Sequence, residues 1–201
     1  AQGFGIHPQG THIDLPVHLG EGFCRYTALP HGIQLHHYRY CLKHRLEVCG
    51  HNDPERGMYI LNINLSDRLL HKEIGNQEQS LSRGGNCGAM LYSPGINSRG
   101  ASVPDLLFEV VFFSIPIGVF EEFGTSFSTP AELSKPPFFR YTELAPSLIN
   151  DFLPQLSPAA NGNYFLRQGK IMQFLGEALE QLCLQCIPDV LSLMKLRDFE
   201  T

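Results

Sequence analysis

The chain has 201 residues, of which 43% are hydrophobic and 17% are charged, so it is neither a disordered tail nor a coiled-coil rod. At this length we expect one domain, or a main body with a smaller helical appendage. The 15 lysines and arginines against 20 aspartates and glutamates give a net charge of −5, and no block of consecutive basic residues is present. These residues therefore lack the basic surface that neutralises DNA phosphates.

Two further classes are disfavoured by the sequence. The longest apolar run, near residues 110–120, is interrupted by Ser114, Pro116 and Gly118 and is too short to span a bilayer. Residues 1–10 lack the basic and then apolar pattern of a signal peptide. Six cysteines spread through a chain of this size indicate thiols in a reducing compartment rather than a disulfide framework. We therefore expect a cytoplasmic protein without membrane contact.

The first half of the chain has the pattern of β-strands. Apolar and polar residues alternate over residues 32–42 and 58–66, whereas residues 106–115 are apolar on both faces except for Glu109. Shorter candidate strands are residues 45–49, 70–74, 79–81, 88–92 and 98–103. Many short strands separated by Gly, Pro, Asn and Ser predict a sandwich or a small barrel.

The second half, from residue 117, has the pattern of helices. A short helix is predicted over residues 117–123, ended by Gly124, and residues 129–132 form a capping box. A helix over residues 144–156 precedes a long amphipathic helix over residues 164–187, which Pro188 stops. An antiparallel helix pair is therefore expected to follow the β body, which makes the fold class α+β.

The apolar stripe of the last helix is wider than one seam. Two interpretations stay open, in which the whole stripe is intramolecular core or part of it pairs with a second copy of the chain. The residues predicted for such a homodimer contact are Ile171, Phe174, Leu175, Ala178, Leu179 and Leu182.

Nine histidines raise the question of a metal centre. His36 and His37 are adjacent and so point to opposite faces of a strand, and no His-x-His pair exists in the sequence. Cys183 and Cys186 have the spacing of half a zinc site, but they lie within the amphipathic helix and no second pair completes it. Glu109 is either a buried acid with a raised pKa or an outward-facing residue. We predict no metal, no cofactor and no catalytic residue.

What remains is a ligand pocket. A small barrel that holds a ligand needs an apolar wall with a few polar groups, and tyrosines supply both stacking area and a hydroxyl. Such groups suit an aromatic or polyol ligand, although the sequence does not determine which strand face points inward. The candidate ligand-binding residues are His36, Tyr38, Tyr40, Tyr59, Asn62, Asn64, Tyr92 and Arg99.

Six segments have a pattern shared with a known family, namely residues 15–22, 29–35, 58–65, 91–95, 107–116 and 192–200. They resemble the N-terminal effector-binding domain of AraC/XylS-type transcription regulators. The resemblance implies a cupin-like β-barrel or jelly roll followed by the helix pair. It also implies a small-molecule effector, a homodimer through the last long helix, and DNA binding only through a C-terminal helix-turn-helix domain that is not in this chain.

On this resemblance the chain divides into four parts. Residues 1–27 form an N-terminal arm, residues 28–116 the cupin-like effector-binding barrel, residues 117–187 the helical dimerisation region, and residues 188–201 the start of a linker. Two alternatives from other classes stay open. One is a cupin-like enzyme, with or without a metal, which the histidine count suggests; the other is a sugar- or lipid-binding accessory domain without a regulatory role.

Overall fold

The computed structural model describes residues 12–55, 57–66, 70–74, 77–81, 87–126, 137–157 and 163–184. Three helices are present there, α1 (Ile117–Ser126), α2 (Pro146–Phe152) and α3 (Tyr164–Leu184), and two short 3₁₀ turns span Pro30–Gly32 and Leu153–Leu156. The strands are β1 (His12–Asp14), β2 (Gly20–Ala28), β3 (Gln34–Leu42), β4 (Glu47–Gly50), β5 (Met58–Asn64), β6 (Leu70–Ile74), β7 (Gln77–Leu81), β8 (Cys87–Tyr92), β9 (Ser98–Ala101), β10 (Leu107–Pro116) and β11 (Phe139–Leu144).

The strands form two antiparallel sheets. The larger sheet has seven strands in the order β1-β2-β3-β10-β5-β8-β11, and the smaller has four in the order β4-β9-β6-β7. The α+β class predicted from the sequence is confirmed. Within the described residues the large sheet is open, with β1 and β11 as its edges, so a closed cupin-like barrel or jelly roll is not confirmed.

Most predicted strands are present. The segments predicted over residues 32–42, 58–66 and 106–115 form β3, β5 and β10, and the five shorter segments correspond to β4, β6, β7, β8 and β9. Three strands, β1, β2 and β11, were not predicted. The first two lie in the segment interpreted as an arm, and both pair within the large sheet. Residues 1–11 lie outside the described part.

The helices agree with the sequence at some boundaries and differ at others. The long helix begins at Tyr164 as predicted and is described to Leu184. The prediction that Gly124 ends α1 is wrong, because the helix continues to Ser126. A glycine commonly ends a helix where it adopts a left-handed conformation; inside a helix it only lowers the stability of the helix, by about 1 kcal/mol relative to alanine. The capping box at residues 129–132 lies outside the described residues.

The main core lies between one face of the large sheet and the helices α2 and α3. Leu35, Leu61 and Phe113 lie on this face and are at most 2% exposed. Phe113 contacts both helices, since its ring centroid is 6.0 Å from that of Phe152 on α2 and 6.0 Å from that of Phe174 on α3. The rings of Phe152 and Phe174 stack at 3.8 Å. These contacts fix the helices to the sheet by apolar burial, which is worth about 25 cal/mol per Å².

The apolar stripe of α3 faces this core. The six residues predicted for a homodimer contact are between 0% and 3% exposed in the single chain, and all belong to the core cluster that includes the large sheet. A homodimer through α3 stays a prediction, and its contact would have to use other residues of the helix. Among these are Tyr164, Phe165 and Leu166, which are 60–77% exposed.

Two other features of the fold bear on the sequence-based expectations. No helix in the described segments is long and apolar enough to cross a membrane. The described cysteines Cys24, Cys41, Cys49 and Cys183 are free thiols.

Candidate functional site

The face of the large sheet that does not pack against the helices is rich in aromatic side chains. Antiparallel pairing places directly opposite residues on the same face. One row across the sheet runs through six neighbouring strands, each residue paired with the next. This row consists of Tyr26, His36, Phe112, Asn62, Met90 and Tyr141. We call this side of the sheet, with the rows beside it, the aromatic face.

The rows on either side continue the same chemistry. On one side Tyr38 pairs with Val110, which pairs with Asn64. On the other side Ile60 pairs with Tyr92. Most of these residues lie near the middle of the sheet. Together they give the aromatic face ring surfaces, two asparagine amides and several tyrosine hydroxyls.

Asn62 is the unusual residue of this face. It is 0% exposed, and neither its side-chain nitrogen nor its side-chain oxygen has a hydrogen-bond partner among the described residues. Its neighbour Asn64 is also buried, but the Oδ1 atom of Asn64 accepts a hydrogen bond from the backbone N–H of Ser66 at 3.1 Å. Burying an amide without a partner costs roughly 1–3 kcal/mol, which makes such a group a natural contact for a ligand.

The aromatic rings next to Asn62 are organised and partly accessible. Tyr38 meets Phe112 edge-on with centroids 5.4 Å apart, and Tyr40 stacks on Phe108 at 4.7 Å. His36 lies parallel to Tyr38 at 6.3 Å. These five side chains are half-buried, whereas Asn62 and its neighbours on β5 and β8 are buried. On the aromatic face, the rings on β3 and β10 are therefore partly accessible, whereas the amide of Asn62 beside them is buried.

Burial disfavours the charged form of five titratable groups of this face. It lowers the pKa of His36, and it raises the pKa of Cys24. The pKa values of Tyr38 and Tyr40 are raised, in both cases mainly by burial with a smaller contribution from Cys24. Burial also raises the pKa of Tyr92 to about 12, opposed by a hydrogen bond with Ser98. At neutral pH these groups are therefore uncharged, which favours an uncharged ligand.

Six of the eight candidate ligand-binding residues lie together on the aromatic face. They are His36, Tyr38, Tyr40, Asn62, Asn64 and Tyr92. Tyr59 lies on the opposite face, where it is 3% exposed and its ring stacks on that of Phe120 at 3.9 Å. Arg99 lies on β9 in the smaller sheet, and its exposed guanidinium donates a hydrogen bond to Glu47 at 2.7 Å.

Several residues of the face were not among the sequence candidates. They are Cys24, Tyr26, Phe108, Phe112, Met90, Phe139 and Tyr141. Each occupies an alternating position in its strand, so the signal was present in the residue pattern. It could not be used without the strand order, because β2, β10 and β11 become neighbours of the candidate strands only through long-range pairing.

Residues of the types that bind metal ions do not cluster in the described part of the chain. No three His, Cys, Asp or Glu residues come close enough together there to hold a metal ion. Cys183 is buried in the core on α3, and burial raises its pKa to about 11, opposed by Arg140; Cys186 lies outside the described residues.

Comparison with known protein families and with curated proteins finds no match for this chain.

Proposed function

We propose that this chain is a sensor domain that binds a small, uncharged, planar molecule on the aromatic face, with Asn62 as the polar anchor. The observation that carries the proposal is the buried amide of Asn62 between Phe112 and Met90, which has no hydrogen-bond partner in the part of the chain that the structure describes. A ligand with a hydrogen-bond donor and an acceptor side by side would satisfy both atoms of the amide. Rings such as Tyr38 and Phe112 would provide the stacking surface.

The proposal extends to the kind of protein that uses such a sensor. We assign the chain to the effector-binding and dimerisation part of an AraC/XylS-type transcription regulator. The order of the elements supports this assignment, since a body of strands is followed by α2 and the long helix α3. The net charge of −5 is compatible with it, because DNA contact would belong to a C-terminal helix-turn-helix domain. In this proposal the smaller sheet is the second half of a cupin-like β-sandwich.

Ligand binding is tested by thermal unfolding with a panel of uncharged aromatic amides, lactams and polyols. Binding to the folded state raises the melting temperature according to concentration and affinity. We expect at least one aromatic amide or lactam to raise it for the natural sequence and to have no effect on Asn62→Leu. Arg99→Gln, which changes an exposed residue of the smaller sheet, is the control and should respond like the natural sequence. An unchanged response in Asn62→Leu would refute the site.

The regulatory role is tested separately by reading the coding sequence beyond Thr201. A basic region of roughly 100 residues with two helix-turn-helix motifs is expected. An unrelated domain in that place would overturn the assignment to this type of regulator, while leaving the ligand site to its own test.

A further inference from the structure

A cleft with different chemistry lies on the helix-facing side of the large sheet, near its β1 edge. It has a volume of about 300 Å³ and opens between the strands β2, β3 and β10 and the 3₁₀ turn Leu153–Leu156. Its polar lining includes Arg25, His37, Arg39 and Glu109, and its apolar lining is Phe23, Leu153 and Leu156. This volume is at the small end of the range for ligand pockets, about 300–1,000 Å³.

Strand register brings the polar residues of the cleft together. Arg25 on β2 pairs with His37 on β3, and the next row joins Phe23 to Arg39 and Arg39 to Glu109 on β10. These residues share the face that further along the sheet forms the apolar core. The face changes from apolar to charged where the cover of the helices ends, at Leu153 and Leu156.

The carboxylate of Glu109 already has two donor partners within the cleft. Its Oε1 atom accepts a hydrogen bond from Nε2 of His37 at 2.9 Å, and its Oε2 atom lies 3.3 Å from Nε of Arg39. Of the two interpretations offered by the sequence, the structure therefore supports a largely buried acid, with its side chain 22% exposed. The charge of Arg39 is balanced by this carboxylate.

Arg25 has no such counter-ion. Its Nε atom donates to Nδ1 of His12 at 3.0 Å, and its guanidinium carbon lies 3.9 Å from the centre of the Phe23 ring. Among the described residues no carboxylate lies within salt-bridge distance of Arg25. The nearby carboxylate of Asp14 is hydrogen-bonded to Nε2 of His12 at 2.8 Å. The planar guanidinium is thus held in place and can donate two hydrogen bonds to one carboxylate.

His37 offers a second unsatisfied group at the cleft. Its side chain is 7% exposed, and its Nδ1 atom has no hydrogen-bond partner among the described residues. A ring nitrogen of histidine can donate or accept a hydrogen bond, so Nδ1 is a polar atom whose hydrogen-bonding capacity is unused among these residues. Within the described part of the chain the cleft therefore combines a cation without a carboxylate partner, a buried ring nitrogen without a hydrogen-bond partner, and an apolar wall of Phe23, Leu153 and Leu156.

We propose that this cleft is a second ligand site, which binds a small monocarboxylate with an apolar body. The carboxylate pairs with Arg25, and the apolar body lies against Phe23 and the two leucines. The site lies on the opposite side of the sheet from the aromatic face and does not depend on the function proposed for that face.

The test is titration calorimetry with phenylacetate as the probe and uncharged phenylacetamide as its matched analogue. Both are titrated into the Asn62→Leu variant, so that the aromatic face does not contribute. We expect phenylacetate to bind about tenfold or more tightly than phenylacetamide, since a hydrogen bond between two charged groups is stronger than one between neutral groups. Equal binding of the two compounds would overturn the proposal.

Two variants in the same background locate the effect. Arg25→Gln is expected to lower the affinity for phenylacetate to that for phenylacetamide, whereas Arg99→Gln should leave it unchanged. Amide chemical shifts should report phenylacetate at Phe23 and along Leu153–Leu156, a readout that does not depend on how well Arg25→Gln folds. Undiminished binding to Arg25→Gln, or shifts confined to the aromatic face, would refute the site.

Discussion

Asn62 lies directly opposite Phe112 in the antiparallel pair of β5 and β10, and its buried amide has no partner among the described residues. One strand pair therefore places an unsatisfied polar group beside a half-buried ring. On the other side of the same strands, Leu61 pairs with Phe113 within the apolar core. The two faces differ in chemistry because alternate residues of a strand point to opposite sides.

We predict that Asn62→Leu stabilises the protein. Leucine has a similar size and needs no hydrogen bond, so the substitution removes the cost of burying an unpartnered amide. The free energy of unfolding should rise by about 1–3 kcal/mol in urea denaturation. A natural sequence that gives up this stability would be consistent with a role for the amide in binding.

Asn52→Leu is the matched control, because Asn52 is a buried asparagine whose amide is fully used. Its Nδ2 atom donates to the carbonyl oxygens of Met58 at 2.9 Å and Ser93 at 3.1 Å, and its Oδ1 atom accepts from the N–H of Met58 at 3.0 Å. This substitution should destabilise by at least about 2 kcal/mol. Equal losses for Asn52→Leu and Asn62→Leu would contradict the assignment of the Asn62 amide as unpartnered.

Gly22 is predicted to be irreplaceable at the start of the sheet. Its φ angle of +133° is unfavourable for other residues, and an added Cβ would lie 2.2 Å from the carbonyl oxygen of Arg39. Gly22→Ala should destabilise by at least about 1–3 kcal/mol, measured by chemical denaturation. Gly176→Ala on α3 should instead stabilise by about 0.5–1 kcal/mol, because its Cβ meets nothing within 4 Å and alanine favours helix.

Phe174 is predicted to hold α3 against the sheet. It is 3% exposed and stacks on Phe152, so Phe174→Ala should cost about 3–5 kcal/mol in the free energy of unfolding. Phe165→Ala, on the same helix but 77% exposed, should change it by less than about 0.5 kcal/mol. Similar effects of the two substitutions on the isolated chain would argue against docking of α3 on its own sheet.

Tyr92 is predicted to make stability fall in alkaline solution. Burial raises its pKa from 10.0 to about 12, so the folded state retains a proton that the unfolded state releases. The stability due to the neutral phenol is complete below pH 10 and is lost as the pH rises toward about 12.

The measurement is urea denaturation across this pH range. Tyr92→Phe has no phenol to ionise, so its stability should decline less steeply than that of the natural sequence. Tyr164→Phe, which alters a residue 60% exposed, should decline as steeply as the natural sequence. Parallel curves for the natural sequence and Tyr92→Phe would contradict the prediction.

The sequence by itself determined the local elements of the fold. Period-two alternation over residues 58–66 and helical spacing over residues 164–187 are local signals, and β5 and α3 formed where those signals lie. The strands β2 and β11 were missed because their local signal is weak: Gly20 and Gly22 interrupt β2, and β11 lies between helical segments. Pairing with β3 and β8 makes them strands.

The tertiary structure alone decided which face of each strand is available. Alternation placed Tyr59 and Asn62 on opposite sides of β5, but it could not say which side would meet the helices. The helices pack on the side of Tyr59, where Phe120 of α1 stacks on its ring, and leave Asn62 on the aromatic face. The same non-local pairing brings Arg25, His37 and Glu109 together from three strands. Sequence patterns specify the period of an element, whereas sites depend on contacts between residues far apart in the chain.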